Sequence, residues 1–114
     1  VDVRFCRSEE QCIDEARSDS FDIVIVDAEP RIKAASIAPQ ILKDNGIIII
    51  DNSDIQRLNP ILSILSSSDF KRVDFYGYSP CAFYRQCTSI FFKTMNFWNT
   101  DEPVMACSPL SFRS

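Results

Sequence analysis

Phe21-Asp22-Ile23-Val24-Ile25-Val26-Asp27-Ala28-Glu29-Pro30 is the stretch on which the fold turns. Residues 23–26 are β-branched, a type that packs well on a pleated surface and loses rotamer freedom in a helix. An unbroken apolar run of this kind predicts a strand over residues 21–26, covered on both faces as in a parallel sheet flanked by helices. Pro30 cannot donate to a ladder, so the strand ends at Asp27. A second run, Ile47-Ile48-Ile49-Ile50, predicts another buried strand, ending in Asp51-Asn52.

Around these two runs the periodicity alternates. Upstream, Asp2-Val3-Arg4-Phe5-Cys6 alternates polar and apolar and predicts a short strand. Ser8-Glu9-Glu10-Gln11 fits a capping box, with Gln11 reaching back to the serine amide. It opens a helix over about residues 8–18 whose stripe is Cys12, Ile13 and Ala16. Between the runs, Ile32, Ala35, Ala38, Ile41 and Leu42 fall at helical spacing. Pro39 predicts a kink or two short helices there, and Asn45-Gly46 reads as the helix terminator. Ile55, Leu58, Ile61, Leu62 and Leu65 predict another helix, with Asn59-Pro60 as cap and first residue. Residues 66–69 read as a turn and 70–76 as a strand with Val73 and Phe75 on one face. A loop containing Pro80 follows over 77–86, then a strand over 87–93 as the return arm of an antiparallel edge pair. The expected division is an α/β domain over residues 1–93 and a tail over 94–114 packed through Phe97 and Trp98. Strands alternating with helices imply a mostly parallel sheet, with ligands bound beyond the carboxyl ends of its strands.

Composition narrows the function classes. A chain of 114 residues with 46% hydrophobic and 25% charged residues is ordinary for one globular domain. The formal net charge of -4 argues against nucleic acid or an anionic membrane as partner, because both need a basic face. The chain holds no histidine, which removes Ser-His-Asp triads, Cys-His dyads and His-ligated metals. Its 2 glycines, Gly46 and Gly77, cannot build a glycine-rich phosphate or dinucleotide loop. Five cysteines with no signal peptide in view read as reduced thiols in a cytoplasmic protein. Cys6 and Cys12, like Cys81 and Cys87, are spaced more widely than the about two to four intervening residues that zinc sites favour. The first residue is Val1, from which a piece of a longer reading frame or a processed product is expected.

Asp27 and Asp51 each close a predicted buried strand. Neighbouring strands would bring the two carboxylates to one edge, where they need a cation, hydrogen-bond donors or a shared proton. A hard metal ion with the Asn52 amide as a third oxygen is one solution. Aspartates that cap the following helix or bond loop amides are the commoner one. Tyr76, Tyr78, Phe83 and Tyr84 crowd the hairpin and either wall a substrate pocket or pack across the sheet edge.

Residues 21–27, then Leu42-Lys43-Asp44-Asn45-Gly46 running into 47–54, then 70–93 resemble, in order and spacing, the C-terminal half of a class I S-adenosylmethionine-dependent methyltransferase. The stretch Asp69-Phe70-Lys71-Arg72-Val73-Asp74-Phe75-Tyr76-Gly77-Tyr78-Ser79-Pro80 followed by residues 87–93 is the most distinctive part. The resemblance implies a Rossmann-like sheet whose last strand is antiparallel, here lacking its N-terminal part. It implies S-adenosylmethionine as cofactor and an unidentified small-molecule methyl acceptor. It sets Asp27, with Glu9, beside the methyl donor, and Asp27, Asp51 and Asn52 at the catalytic edge. In the cation-dependent O-methyltransferase branch that trio holds a metal. Glu29-Pro30 departs from the branch, so a divalent metal is the less favoured option and none is assigned. The family's glycine-rich loop is absent, so the chain is expected to be inactive alone. The implied gap beside Ile23 and Ile25 leaves an open sheet edge, expected to take the chain's own first strand or another copy in a homo-oligomer.

Two other classes compete. Residues 1–30 resemble the second strand, helix and third strand of a response-regulator receiver, with Asp27 as phosphate acceptor. Ser79 rather than lysine precedes Pro80, and the paired acidic residues of a receiver are missing, so a degenerate version is meant. The third class is a non-enzymatic α/β module serving oligomerisation.

Overall fold

The computed structural model describes residues 3, 5–80 and 83–95. Helix α1 (Glu9–Ala16) leads to strand β1 (Phe21–Val26), helix α2 (Arg31–Ile41) and strand β2 (Leu42–Ile50). A single 3-10 turn (Gln56–Leu58) precedes helix α3 (Asn59–Ser67), and strands β3 (Lys71–Tyr78) and β4 (Arg85–Phe92) close the fold. The four strands form one open sheet in the order β1-β2-β4-β3. β1 and β2 pair in parallel, while β4 is antiparallel to both β2 and β3.

This is a mixed α/β fold, with one parallel and two antiparallel pairings among neighbours, rather than a mostly parallel sheet. The hairpin is present, but its second arm sits inside the sheet instead of adding an edge. Composition explains the placement. β4 carries Ile90, Phe91 and Phe92, whereas β3 carries Lys71, Arg72 and Asp74; the apolar arm takes the position with neighbours on both sides, and the charged arm takes the edge. Val3, Phe5 and Cys6 adopt no strand. Phe97, Trp98 and most of the expected tail lie outside the described residues.

The three described helices stack on one face of the sheet. The main core joins Val26 of β1, Ile48 and Ile50 of β2 and Phe91 of β4 to Ala35 and Ala38 of α2 and Ile61 and Leu65 of α3. A smaller cluster of Ile13, Ile37 and Ile41 fastens α1 to α2. On the opposite face Ile23 and Ile25 are 53% and 65% exposed. The β-branched run is therefore covered on one face by the described residues, not on both, because every described helix lies on the same side. Among the described residues no helix is long and apolar enough to cross a membrane.

Local sequence accounts for the joints. Ser8 caps α1, its hydroxyl accepting from the Gln11 amide at 3.2 Å. The Gln11 side chain accepts from the Arg7 amide at 3.0 Å, one residue before the serine amide expected. Helix α2 runs through Pro39 unbroken. Pro39 stands in the last turn, where it removes only one helical bond before the chain turns extended at Leu42. Asn59 and Pro60 are both inside α3, whose cap residue is Leu58.

Gly46 is not a helix terminator: it lies within β2, and no glycine has positive φ. The register jumps from Phe21↔Leu42 to Ile23↔Ile47, so the extra residues of β2 fold back on themselves. A Cβ at Gly46 would meet Leu42 side-chain atoms at 2.7 Å and the Asp22 carbonyl oxygen at 2.8 Å. Leu42 can turn aside, but the Asp22 backbone is held in the sheet. Gly46→Ala is expected to cost about 1–3 kcal/mol of stability, read as a lower urea midpoint with an unchanged denaturant slope.

Candidate functional site

The parallel pair brings the carboxyl ends of β1 and β2 side by side, as the two isoleucine-rich runs imply, and sets Asp27 and Asp51 at one edge. What joins them is Arg31, in the first turn of α2. Its Nη1 donates to the Asp51 carbonyl at 2.6 Å and its Nη2 to the Asp27 carbonyl at 2.7 Å. The same Nη2 lies 3.7 Å from the Asp27 carboxylate. The Arg31 side chain is only 11% exposed, and its Nε is buried with no hydrogen-bond partner among the described residues. The chain thus sets its own cation beside the Asp27 carboxylate, while Arg31 meets Asp51 at the main-chain carbonyl.

Asp51 is further held by Thr88 of β4, whose hydroxyl donates to Oδ1 at 2.7 Å. Its amide donates to the Val26 carbonyl at 3.2 Å, extending the parallel ladder by one residue. Asn52 follows in the left-handed region, φ 51°, which asparagine tolerates better than most residues. It turns the chain sharply, and its carbonyl accepts from Ile55 at 3.1 Å. Glu9 is exposed at the start of α1. Its neighbour Glu10 pairs with Lys33 near the start of α2 at 3.9 Å, which carries that end of α1 toward the same edge. Among the described residues no hydrogen bond or ion pair joins Glu9 to Asp27, Asp51 or Asn52.

Behind Asp51 a polar network pins the turn to the hairpin. The Ser53 and Ser89 hydroxyls are hydrogen-bonded to each other at 2.6 Å, and Ser89 donates to Asp74 at 2.6 Å. Arg72 Nε completes the chain 3.0 Å from the same Asp74 oxygen. The Cys87 amide donates to Asp54 at 3.0 Å. Ser53 and Ser89 are buried, so each must be satisfied in this way to avoid a desolvation cost of about 1–3 kcal/mol.

Glu29 closes the other side of the edge. Its carboxyl is held below the usual carboxylate value, first by accepting the Arg31 amide and then by the charge of Arg57, whose Nη2 is 2.7 Å away. A depressed folded pKa adds stability above the unfolded value, and that contribution is lost as pH falls through the folded one.

An open cleft of about 350 Å³ lies beside Asp51, lined also by Phe75, residues 76–80, Gln86 and Thr88. Tyr76 and Tyr78 belong to its lining. Phe83 and Tyr84 do not; they project into solvent. Thr88 occupies Asp51 Oδ1, and among the described residues no group of three His, Cys, Asp or Glu side chains is gathered. Cys12 is exposed on α1 and Cys87 buried in β4, far apart in the fold; Cys81 lies outside the described residues.

Arg31 was missed in reading the residues, although Asp27 and Arg31 stand four apart at a strand-to-helix junction. Ser53, Asp74 and Ser89 carried no local signal, since their association depends on the β3–β4 register. No protein-family model matches the chain, and no curated protein sequence matches it.

Proposed function

We propose that this chain is the acceptor-side part of a class I S-adenosylmethionine-dependent methyltransferase domain, a Rossmann-like sheet that lacks its N-terminal strands. The observation that carries the reading is the sheet itself. β1 and β2 run parallel and each delivers an aspartate to the same edge, while the last strand, β4, is antiparallel to both neighbours. In this reading Asp27, with Glu9, faces the methyl donor, and Asp51 and Asn52 orient the acceptor. S-adenosylmethionine supplies an electrophilic methyl group on a sulfonium centre; positioning is what the protein adds. The exposed carboxylate of Asp27, 68% accessible on its side chain, is available to a ligand hydroxyl or ammonium. Gly46 and Gly77 both lie in strands, so neither contributes to a cofactor loop, and the chain alone holds the donor weakly and does not turn over. The outer edge of β1, bearing Ile23 and Ile25, is where a further strand pairs, from additional chain or from another copy.

Titration calorimetry tests the preferred reading. S-adenosylmethionine is expected to bind the 114-residue chain saturably, with a dissociation constant on the order of 1 mM, and at least about tenfold more weakly after Asp27→Asn, which loses a charge-assisted contact. Identical heats from the two chains would remove Asp27 from the cofactor site.

A further inference from the structure

The cleft beside Asp51 has a definite chemical complement. Phe75 pairs with Thr88 across β3 and β4, and Thr88 donates to Asp51 at the end of β2. Asp51, Thr88 and Phe75 therefore form one row across three strands, on the face away from the helices. Two strand spacings separate the Asp51 and Phe75 backbones, about 10 Å, room for one six-membered ring and a small polar head. Phe75 is 53% exposed, and its ring is free to take an apolar body. The neighbouring Tyr76 ring is engaged instead by the Arg85 guanidinium, 5.7 Å from its centroid. Gly77 forms an unobstructed floor, since a Cβ there would meet nothing within 4 Å.

Charge decides the ligand class. Asp51 is the one charged residue among those described around the cleft. Thr88 engages its Oδ1, leaving Oδ2 as an acceptor, and Asp51 is half-buried, which strengthens attraction to a cation. Gln86 and the Thr88 hydroxyl add neutral polar contacts. Arg31 bonds the Asp51 main chain, and its charge is shared with the Asp27 carboxylate, so it does not neutralise the side chain.

We propose that this cleft binds a compact amphipathic amine, with its ammonium on Asp51 and its apolar body against Phe75. This is a statement about binding and stands apart from the methyl-donor reading; its probe carries no donor, so the failure of one leaves the other unaffected.

The test is an amide-detected NMR titration of the 114-residue chain with benzylamine, protonated at neutral pH, and with benzyl alcohol as its neutral counterpart. Benzylamine is expected to shift the amides of Asp51, Gly77 and Thr88 saturably, and benzyl alcohol to bind at least about tenfold more weakly, the ion pair with Asp51 being lost while the ring contact is kept. Asp51→Asn keeps an oxygen for Thr88 and is expected to reduce benzylamine affinity by a similar factor. Gly77→Phe starts from a position where a Cβ meets nothing within 4 Å, adds bulk to the floor and is expected to abolish the response. Equal binding of amine and alcohol, no saturable shift, or benzylamine binding unchanged in either variant would overturn the proposal.

Discussion

Arg31→Met is expected to lower the unfolding free energy by about 2–3 kcal/mol, measured by urea denaturation. Methionine keeps an apolar stem of similar length, so the loss isolates the guanidinium. Two short bonds to main-chain carbonyls, at 2.6 and 2.7 Å, disappear, and hydrogen bonds involving a charged group contribute roughly 1.5–3 kcal/mol each. Removing the buried, unpartnered Nε returns part of that cost. The change also releases the ends of β1 and β2 from each other, so amide exchange at Asp27 and Asp51 should quicken more than at Ile48 in the core. A loss under about 0.5 kcal/mol would mean that the parallel pair aligns the two aspartates without the clamp.

Phe91→Ala is expected to be the most damaging single change, costing about 3–5 kcal/mol. Phe91 is 1% exposed at the centre of the main core, against β2 and the two helices above it. A domain this small has only about 5–15 kcal/mol of total stability, so the variant should be partly unfolded in mild urea. Phe75 makes the internal comparison. It stands in the same hairpin on the opposite face, half exposed, and Phe75→Ala should stay within about 0.5 kcal/mol of the parent. Comparable losses from the two substitutions would contradict a core built on one face of the sheet.

Much of this architecture was legible in local chemistry. Two β-branched runs marked β1 and β2, Ser8 marked the start of α1, and the stripe of Leu58, Ile61 and Leu65 marked the segment that became a 3-10 turn and α3. Each signal is complete within a few residues. What stayed hidden depends on pairing between distant segments. A run such as residues 23–26 reads the same whether its second face is covered or bare, so the one-sided packing of β1 was not visible. Gly46 after an asparagine looks like a helix end, and only the fold-back of Leu42 onto it shows that close approach, rather than left-handed φ, requires a glycine. The interior position of β4 follows from which hairpin arm is more apolar, a comparison between strands.

The same division holds at the site. Asp27 and Asp51 announced themselves by ending buried strands. Asn52 was singled out for its side-chain oxygen, and the structure sets it in the tight turn after β2 with φ 51°. Arg31 emerged only when α2 docked beside both strand ends, because an arginine at i+4 from an aspartate is usually an exposed ion pair worth little. Here its side chain, 11% exposed, bonds two main-chain carbonyls, and those bonds turn a pair of separate aspartates into one edge.

The most direct test of the central claim, that the ends of β1 and β2 form one ligand edge of methyltransferase type, is an amide-detected NMR titration of S-adenosylmethionine into the uniformly labelled chain. The account predicts saturable shifts concentrated at Asp27, Ala28 and Asp51, smaller ones at Glu9, and none on the exposed turn at Ser68 and Asp69. Shifts scattered over the surface, or no saturation by about 10 mM, a limit above the millimolar affinity range, would contradict it.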